Sequence, residues 1–115
     1  MNRLTWEAHR NDSMVRLALA GEFDLSNAAQ VEDAIKDVER DRPALIVLDL
    51  RELTFMDSTG LRVMVSADAR ARDDSRRIAV VQGPESVHRV FRITGLDDHL
   101  EMVETPDAAL SDGSA

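Results

Sequence analysis

The tetrapeptide Asp57-Ser58-Thr59-Gly60 holds the residues of this chain that are best placed to do chemistry. It follows the segment LIVLDLRELTFM, whose apolar start at residues 45–48 predicts a buried strand, and it opens a segment with helical spacing. Ser58 is therefore expected at a helix start on the surface, where another protein's active site can reach its hydroxyl. A charge added there changes the local field strongly, so Ser58 is a candidate switch.

Other chemistries lack their usual residues. A serine hydrolase needs Gly-x-Ser-x-Gly, but Ser58 has no glycine two positions before it, and no histidine is placed to activate it. The three histidines, His9, His88 and His99, do not have metal-ligand spacing, and the chain contains no cysteine. We therefore expect no metal, no cofactor and no enzymatic activity. Taken alone, Ser58 would be an ordinary N-cap.

Composition and charge restrict the class of protein. The chain has 115 residues, of which 43% are apolar and 31% charged, which is typical of one globular domain with a single core. No apolar run approaches the roughly 18 residues of a membrane span, and the N-terminus lacks the apolar stretch of a secretory signal. The absence of cysteine favours a cytoplasmic location. The net charge of −8 argues against a nucleic-acid partner and suits a protein partner with a basic face.

Two segments with alternating polarity predict an N-terminal antiparallel hairpin. They cover residues 4–9 and 15–20, and the turn signal Asn11-Asp12-Ser13 lies between them. The run Gly21-Glu22-Phe23-Asp24 is expected to end the second strand.

A first helix is predicted from a cap at Ser26 or Asn27 to about Glu39, with Gln30 as the capping-box partner of Asn27. Residues 44–50 lack alternation, as expected of a central strand that is covered on both faces. A short connection should lead from this strand to Asp57. The inward positions of the first helix are expected to be Ala28, Val31, Ala34, Ile35 and Val38.

The second half of the chain predicts alternating helices and strands. We expect a helix over about 59–72, a polar loop, a strand at 78–81, and a helix from Gly83-Pro84-Glu85 to a cap at Gly95. An edge strand at 100–103 and a short helix from Thr105 to Leu110 should follow. The inward positions of these helices are expected to be Leu61, Met64, Val65 and Ala69, and then Val87, Val90, Phe91 and Thr94.

This order of elements predicts an α/β fold. It should contain a mostly parallel mixed β-sheet of about five strands, with an N-terminal antiparallel hairpin and about four helices. Residues 1–110 form a single predicted domain, and residues 111–115 are expected to be a disordered tail.

Five motifs, taken in order, resemble one family. They are Gly21-Glu22-Phe23-Asp24, Ser26-Asn27-Ala28, Val47-Leu48-Asp49-Leu50, Phe55-Met56-Asp57-Ser58-Thr59-Gly60-Leu61 and Val90-Phe91-Arg92-Ile93-Thr94-Gly95-Leu96. Together they resemble the STAS domain, and more narrowly the small bacterial anti-sigma factor antagonists. The resemblance covers about residues 5–110.

The resemblance implies regulation through a partner. In such proteins the serine after the aspartate is phosphorylated by an anti-sigma factor with serine kinase activity. The unphosphorylated antagonist binds this anti-sigma factor and frees a sigma factor; phosphorylation ends the binding, and a serine phosphatase reverses it. Carried onto this chain, the acceptor is Ser58, and ATP and magnesium belong to the partner. The implied contact surface is Glu22, Asp24, Leu25, Ser26, Asn27, Asp57, Ser58, Thr59, Gly60, Leu61, Arg62 and Val63.

Several details of this surface stay open. Gly60 either lets the partner's backbone approach closely or is simply a small residue in the first turn of the helix. Asp24 either binds a basic residue of the partner or caps the amides near Ser26 and Asn27. Arg62 is larger and more basic than the small residue expected there, which bears on the choice of partner. The side chains of Phe55 and Met56 are expected in the core or at its rim.

The fold is expected to survive phosphorylation. The helix dipole would favour a phosphate on Ser58 by roughly 0.3–2 kcal/mol, and repulsion from Asp57 would be of similar size.

Two alternative functions remain. The same motifs fit a STAS scaffold or ligand-sensing module that works without phosphorylation. A receiver-like phosphoacceptor domain fits the length and Leu48-Asp49-Leu50, but it needs an acidic pair after the first strand and a late lysine. The only lysine, Lys36, lies in the first predicted helix.

Overall fold

Five strands and four helices alternate along the chain in the computed structural model, which describes residues 3–112. The strands lie in sequence order across one sheet; the first is antiparallel to the second, and the others are parallel. The predicted α/β class, mixed sheet and N-terminal hairpin are confirmed. The elements are β1 (Leu4–Asn11), β2 (Met14–Phe23), α1 (Ala28–Glu39), β3 (Leu45–Met56), α2 (Ser58–Asp73), β4 (Arg77–Val81), α3 (Glu85–Thr94), β5 (Glu101–Val103) and α4 (Pro106–Asp112).

The sheet separates two apolar cores. Helices α1, α2 and α3 cover one face, as expected when successive parallel crossovers share the same hand and direction. Helix α4 covers part of the other face, where Ala109 packs with apolar residues of β3, β4 and β5. Because β2 and β3 are parallel, their carboxyl ends meet at one edge of the sheet, and there the chain enters the loop before α1 and the start of α2.

Strand β3 is longer than predicted. Strand β2 ends at Phe23, within the run 21–24 that was expected to end it, but the expected connection between Leu50 and Asp57 is strand as far as Met56. The added part of β3 pairs with the end of β2, with Gly21 opposite Leu53 and Phe23 opposite Met56. The register shifts twice along this stretch, and such bulges hide the two-residue alternation from which strands are predicted.

The helices differ from the prediction in detail. Ala69 and Thr94 are exposed rather than inward: Ala69 lies on the outer side of α2, and Thr94 is the last residue of α3. The Gly95 cap is confirmed with a left-handed φ of 76°, and the Thr105 hydroxyl accepts a hydrogen bond from the Ala108 amide at 3.2 Å. Helix α4 continues two residues beyond Leu110, whereas residues 113–115 of the predicted tail lie outside the described residues.

One carboxylate, Asp49, is buried in the middle of β3. Burial opposes its ionisation, but hydrogen bonds from the Arg51 side chain and amide, joined by Arg16 at 3.1 Å, keep the pKa of the Asp49 carboxyl below its ordinary value. The ion pairs with Arg51 and Arg16 therefore compensate the buried charge of Asp49.

Candidate functional site

Ser58 is the first residue of α2, and the residue before it caps the helix. Asp57 Oδ1 accepts hydrogen bonds from the amides of Thr59 at 2.9 Å and Gly60 at 3.2 Å. The side chain of Ser58 is exposed, and its hydroxyl makes no hydrogen bond to any residue between 3 and 112. The capping role considered for Ser58 thus belongs to Asp57, which leaves the serine hydroxyl available for modification.

The loop beside Ser58 is held from within by Asn27. Its side-chain amide donates to the carbonyl of Glu22 at 2.8 Å and accepts from the amide of Asp24 at 3.1 Å. Asn27 is only 7% exposed and makes no side-chain cap to α1. The predicted capping box with Gln30 is therefore wrong, because the side chain of Asn27 turns back to the loop.

Asp24 closes the same loop. Its Oδ1 accepts hydrogen bonds from the Ser26 hydroxyl at 2.5 Å and the Ser26 amide at 3.0 Å. The hydroxyl bond, aided by the amide and the nearby charge of Arg3, holds the pKa of Asp24 below its ordinary value, so its carboxylate is ionised at neutral pH. The interpretation of Asp24 as a cap for the amides near Ser26 is confirmed.

Arg3 joins this cluster, although the sequence reasoning missed it. Its guanidinium donates to Glu22 Oε1 at 3.2 Å, Asp24 Oδ2 at 3.1 Å and Ser26 Oγ at 3.2 Å. The hairpin register supplies a signal that could have found it: Leu4 lies opposite Gly21, which places Arg3 beside Glu22. Gly21 must be glycine, since its φ is 109° and a Cβ there would lie 2.0 Å from the carbonyl oxygen of Arg3.

An open groove of about 480 Å³ lies at the end of β3 and is lined in part by Asp57, the residue before Ser58. Two large apolar side chains line it, Leu25 with 76% and Phe55 with 48% of its surface exposed. Phe55 points away from the core because successive side chains of a strand face opposite sides of the sheet and its neighbour Met56 is buried. We call the following set the Ser58 surface: Glu22, Asp24, Leu25, Ser26, Phe55, Asp57, Ser58, Thr59 and Arg62.

Four of the predicted contact residues are buried. Their exposed fractions are 8% or less for Asn27, Leu61 and Val63, and Gly60 is buried as well. A Cβ on Gly60 would lie 2.8 Å from Met56 Cγ and 3.1 Å from Phe23 Cδ2. Of the two roles considered for Gly60, the structure therefore favours close packing inside this chain.

The Ser58 surface presents an exposed serine hydroxyl and two exposed apolar side chains. Among residues 3–112, no three histidine, aspartate or glutamate side chains gather in a group that could hold a metal ion. None of the helices in that range is both long and apolar enough to cross a membrane.

Comparison with known proteins identifies the family. The family described as "Mlab, STAS domain" matches residues 6–104. The anti-sigma-B factor antagonist of Listeria monocytogenes is 31% identical over 93 residues, which cover 81% of this chain and 82% of that protein. The anti-sigma-F factor antagonist RsfB of Mycobacterium tuberculosis is 32% identical over 95 residues, covering 83% and 77%.

A solved structure agrees with these relatives. The crystal structure of an anti-sigma factor antagonist from Mycobacterium paratuberculosis superposes with a TM-score of 0.87 at 28% identity, covering 95% of this chain and 92% of that one. The match to the family over most of the chain, together with this shared fold, shows that the protein belongs to the STAS domain family, where it resembles the anti-sigma factor antagonists.

Proposed function

We propose that this protein is an anti-sigma factor antagonist whose binding is switched by phosphorylation of Ser58. The unphosphorylated form binds an anti-sigma factor with serine kinase activity and thereby releases a sigma factor. A serine phosphatase restores the binding form. The observation that carries the proposal is a free, exposed serine hydroxyl at the start of α2 beside an exposed apolar groove, in a chain similar to anti-sigma factor antagonists.

The Ser58 surface has the composition of a small protein-binding site. Two of the four large exposed apolar side chains of the described residues, Leu25 and Phe55, lie together in the groove. Asp24 and Glu22 lie beside them, each paired with Arg3, so the matching partner surface presents an apolar side chain with polar groups around it. Internal hydrogen bonds of Asn27 and Asp24 fix the loop before binding, which lowers the entropy cost of docking.

The transfer of phosphate requires the partner's catalytic groups. The Ser58 oxygen attacks the γ-phosphorus of ATP, the bond to the β-phosphate oxygen breaks, and ADP leaves while a base of the partner takes the hydroxyl proton. The product carries about −1.5 to −2 charges at pH 7. Placed in an interface that fitted a neutral hydroxyl, this charge costs several kcal/mol, or about a hundredfold or more in affinity.

Affinity capture from the source organism's lysate tests the proposal. Wild type and Ser58→Ala should retain a protein with a histidine-kinase-type ATP-binding fold, and Ser58→Glu should lose it while keeping its circular dichroism. Identical proteins retained by the Ala and Glu variants would contradict the switch and favour the scaffold or ligand-sensing alternative. An unfolded Ser58→Glu would also contradict it.

A matched pair of variants tests the groove. Leu25→Ser should weaken capture of the same protein about tenfold or more, since a buried leucine contributes about 1.5–3 kcal/mol. Ile93→Ser on α3 is the control, because Ile93 is exposed to the same degree, 75% against 76% for Leu25. Equal capture by both variants would place the interface elsewhere.

A further inference from the structure

A phosphate on Ser58 cannot use the two amides that the start of α2 would otherwise offer it. Both amides, those of Thr59 and Gly60, already donate to Asp57 Oδ1. The same carboxylate adds a negative charge next to the modified residue. The Asp57 carboxylate therefore already occupies most of the favourable field at the start of α2. A positive charge from another residue would be needed to stabilise a phosphoryl group on Ser58.

Arg62 is placed to supply it. It lies four residues after Ser58, and residues i and i+4 of a helix are neighbours on one face, with Cβ atoms about 5–6 Å apart. Its side chain is exposed and makes no hydrogen bond or ion pair to any of residues 3–112. The other two arginines of α2 are engaged, Arg70 with Glu39 and Arg72 with Asp68.

We propose that Arg62 binds the phosphoryl group of phosphorylated Ser58, an inference that rests on the proposed function. The guanidinium donates charge-assisted hydrogen bonds to phosphoryl oxygens, and no covalent bond changes. Phosphorylation then alters the Ser58 surface twice: it adds a dianion, and it withdraws the free cation of Arg62 from any acidic group of the partner. The pair also keeps the start of α2 folded after modification.

Glu32 is the competing acid for Arg62. Both residues line a groove of about 200 Å³ between α1 and α2, and Glu32 Oε2 makes no hydrogen bond. The other oxygen of Glu32 already binds Arg70 at 3.1 Å and lies 3.8 Å from Lys36. A phosphoryl group, with nearly two charges and three acceptor oxygens, is the stronger ligand for a free guanidinium.

Phosphoserine placed at position 58 by genetic encoding tests the inference without a kinase. The second pKa of the phosphoserine is measured by phosphorus NMR in the wild-type background, in Arg62→Gln and in the control Arg89→Gln, which changes an exposed arginine on α3. The carboxylates nearest along the surface, Asp57, Asp24 and Glu32, are the same in all three proteins. We expect a pKa lower by about 0.3 unit or more in wild type and the control than in Arg62→Gln.

Thermal unfolding midpoints of the phosphorylated and the unmodified protein complete the test. Arg62→Gln should lower the midpoint of the phosphorylated protein and leave that of the unmodified protein unchanged. Equal phosphoserine pKa values in wild type and Arg62→Gln would overturn the inference. An equal loss of stability in the phosphorylated and the unmodified protein would also overturn it and would indicate that Arg62 pairs with Glu32 instead. Loss of partner capture by Ser58→Glu together with equal pKa values would leave the proposed function standing and refute only the role of Arg62.

Discussion

Replacement of Gly60 by alanine separates packing from partner contact at the Ser58 motif. The new Cβ would lie 2.8 Å from Met56 Cγ and 3.1 to 3.2 Å from the ring of Phe23. Phe23 is fully buried and Met56 is 4% exposed, so neither side chain can move aside without disturbing the core. Overpacking of this kind costs about 1–3 kcal/mol.

An opposing effect must be subtracted. Alanine is favoured over glycine in a helix interior by up to about 1 kcal/mol, and less in the first turn, where Gly60 lies. The overpacking is the larger of the two effects, and we expect Gly60→Ala to lose about 1–2 kcal/mol of unfolding free energy. For a domain of this size that corresponds to a midpoint lower by about 4–8 °C.

Urea and thermal unfolding followed by circular dichroism measure this loss. Ser58→Ala is the matched control, because it changes an exposed residue of the same helical turn and should stay within about 0.5 kcal/mol of wild type. A Gly60→Ala protein as stable as wild type would refute the packing argument. If such a protein also lost its partner, the glycine would act by close approach of the partner's backbone.

Three other expectations follow from the geometry. Asn27→Ala should lower the unfolding free energy by about 1–3 kcal/mol, since the Glu22 carbonyl and the Asp24 amide lose their hydrogen-bond partner. Asn27→Asp should keep only the bond from the Asp24 amide and lose less stability, and urea unfolding of both variants measures the difference. Asp57→Ala should cost about 0.5–2 kcal/mol and Asp57→Asn much less, because asparagine caps equally well; equal losses would show that charge, rather than capping, matters. Because the pKa of Asp49 is lower in the folded protein, its stabilising contribution is complete above the unfolded pKa near 3.8 and is lost as the pH falls through the lower folded value. Asp49→Asn should therefore make the loss of stability with falling pH less steep, and an unchanged dependence of stability on acidic pH would contradict this.

Periodicity in the sequence predicted the helices and the outer strands, whereas β3 and β4 were predicted from short apolar runs because both of their faces are covered. The alternation of β1 and the three-to-four spacing of α1 follow directly from strand and helix geometry. The end of β3 was missed because its pairing with β2 passes through bulges, where the two-residue period breaks. No pattern within a single segment reports such a shift.

The site was predicted less completely than the fold. A contiguous motif suggested that residues 57–63 all face the partner, but one side of a helix must pack on the sheet, and Leu61 and Val63 do. Arg3 and Phe55 were missed for a different reason: each is brought to the Ser58 surface by strand pairing, one opposite Glu22 in the hairpin and one beside it in the parallel ladder.

The most direct measurement of the central claim is the affinity of the captured anti-sigma factor for this protein with and without phosphoserine at position 58. Calorimetry should give a dissociation constant about a hundredfold or more higher for the phosphorylated form. Amide NMR spectra of the same two samples should differ only around the Ser58 surface. Equal dissociation constants would contradict the switch, and spectral changes throughout the core would show that phosphorylation acts by disturbing the fold instead of the interface.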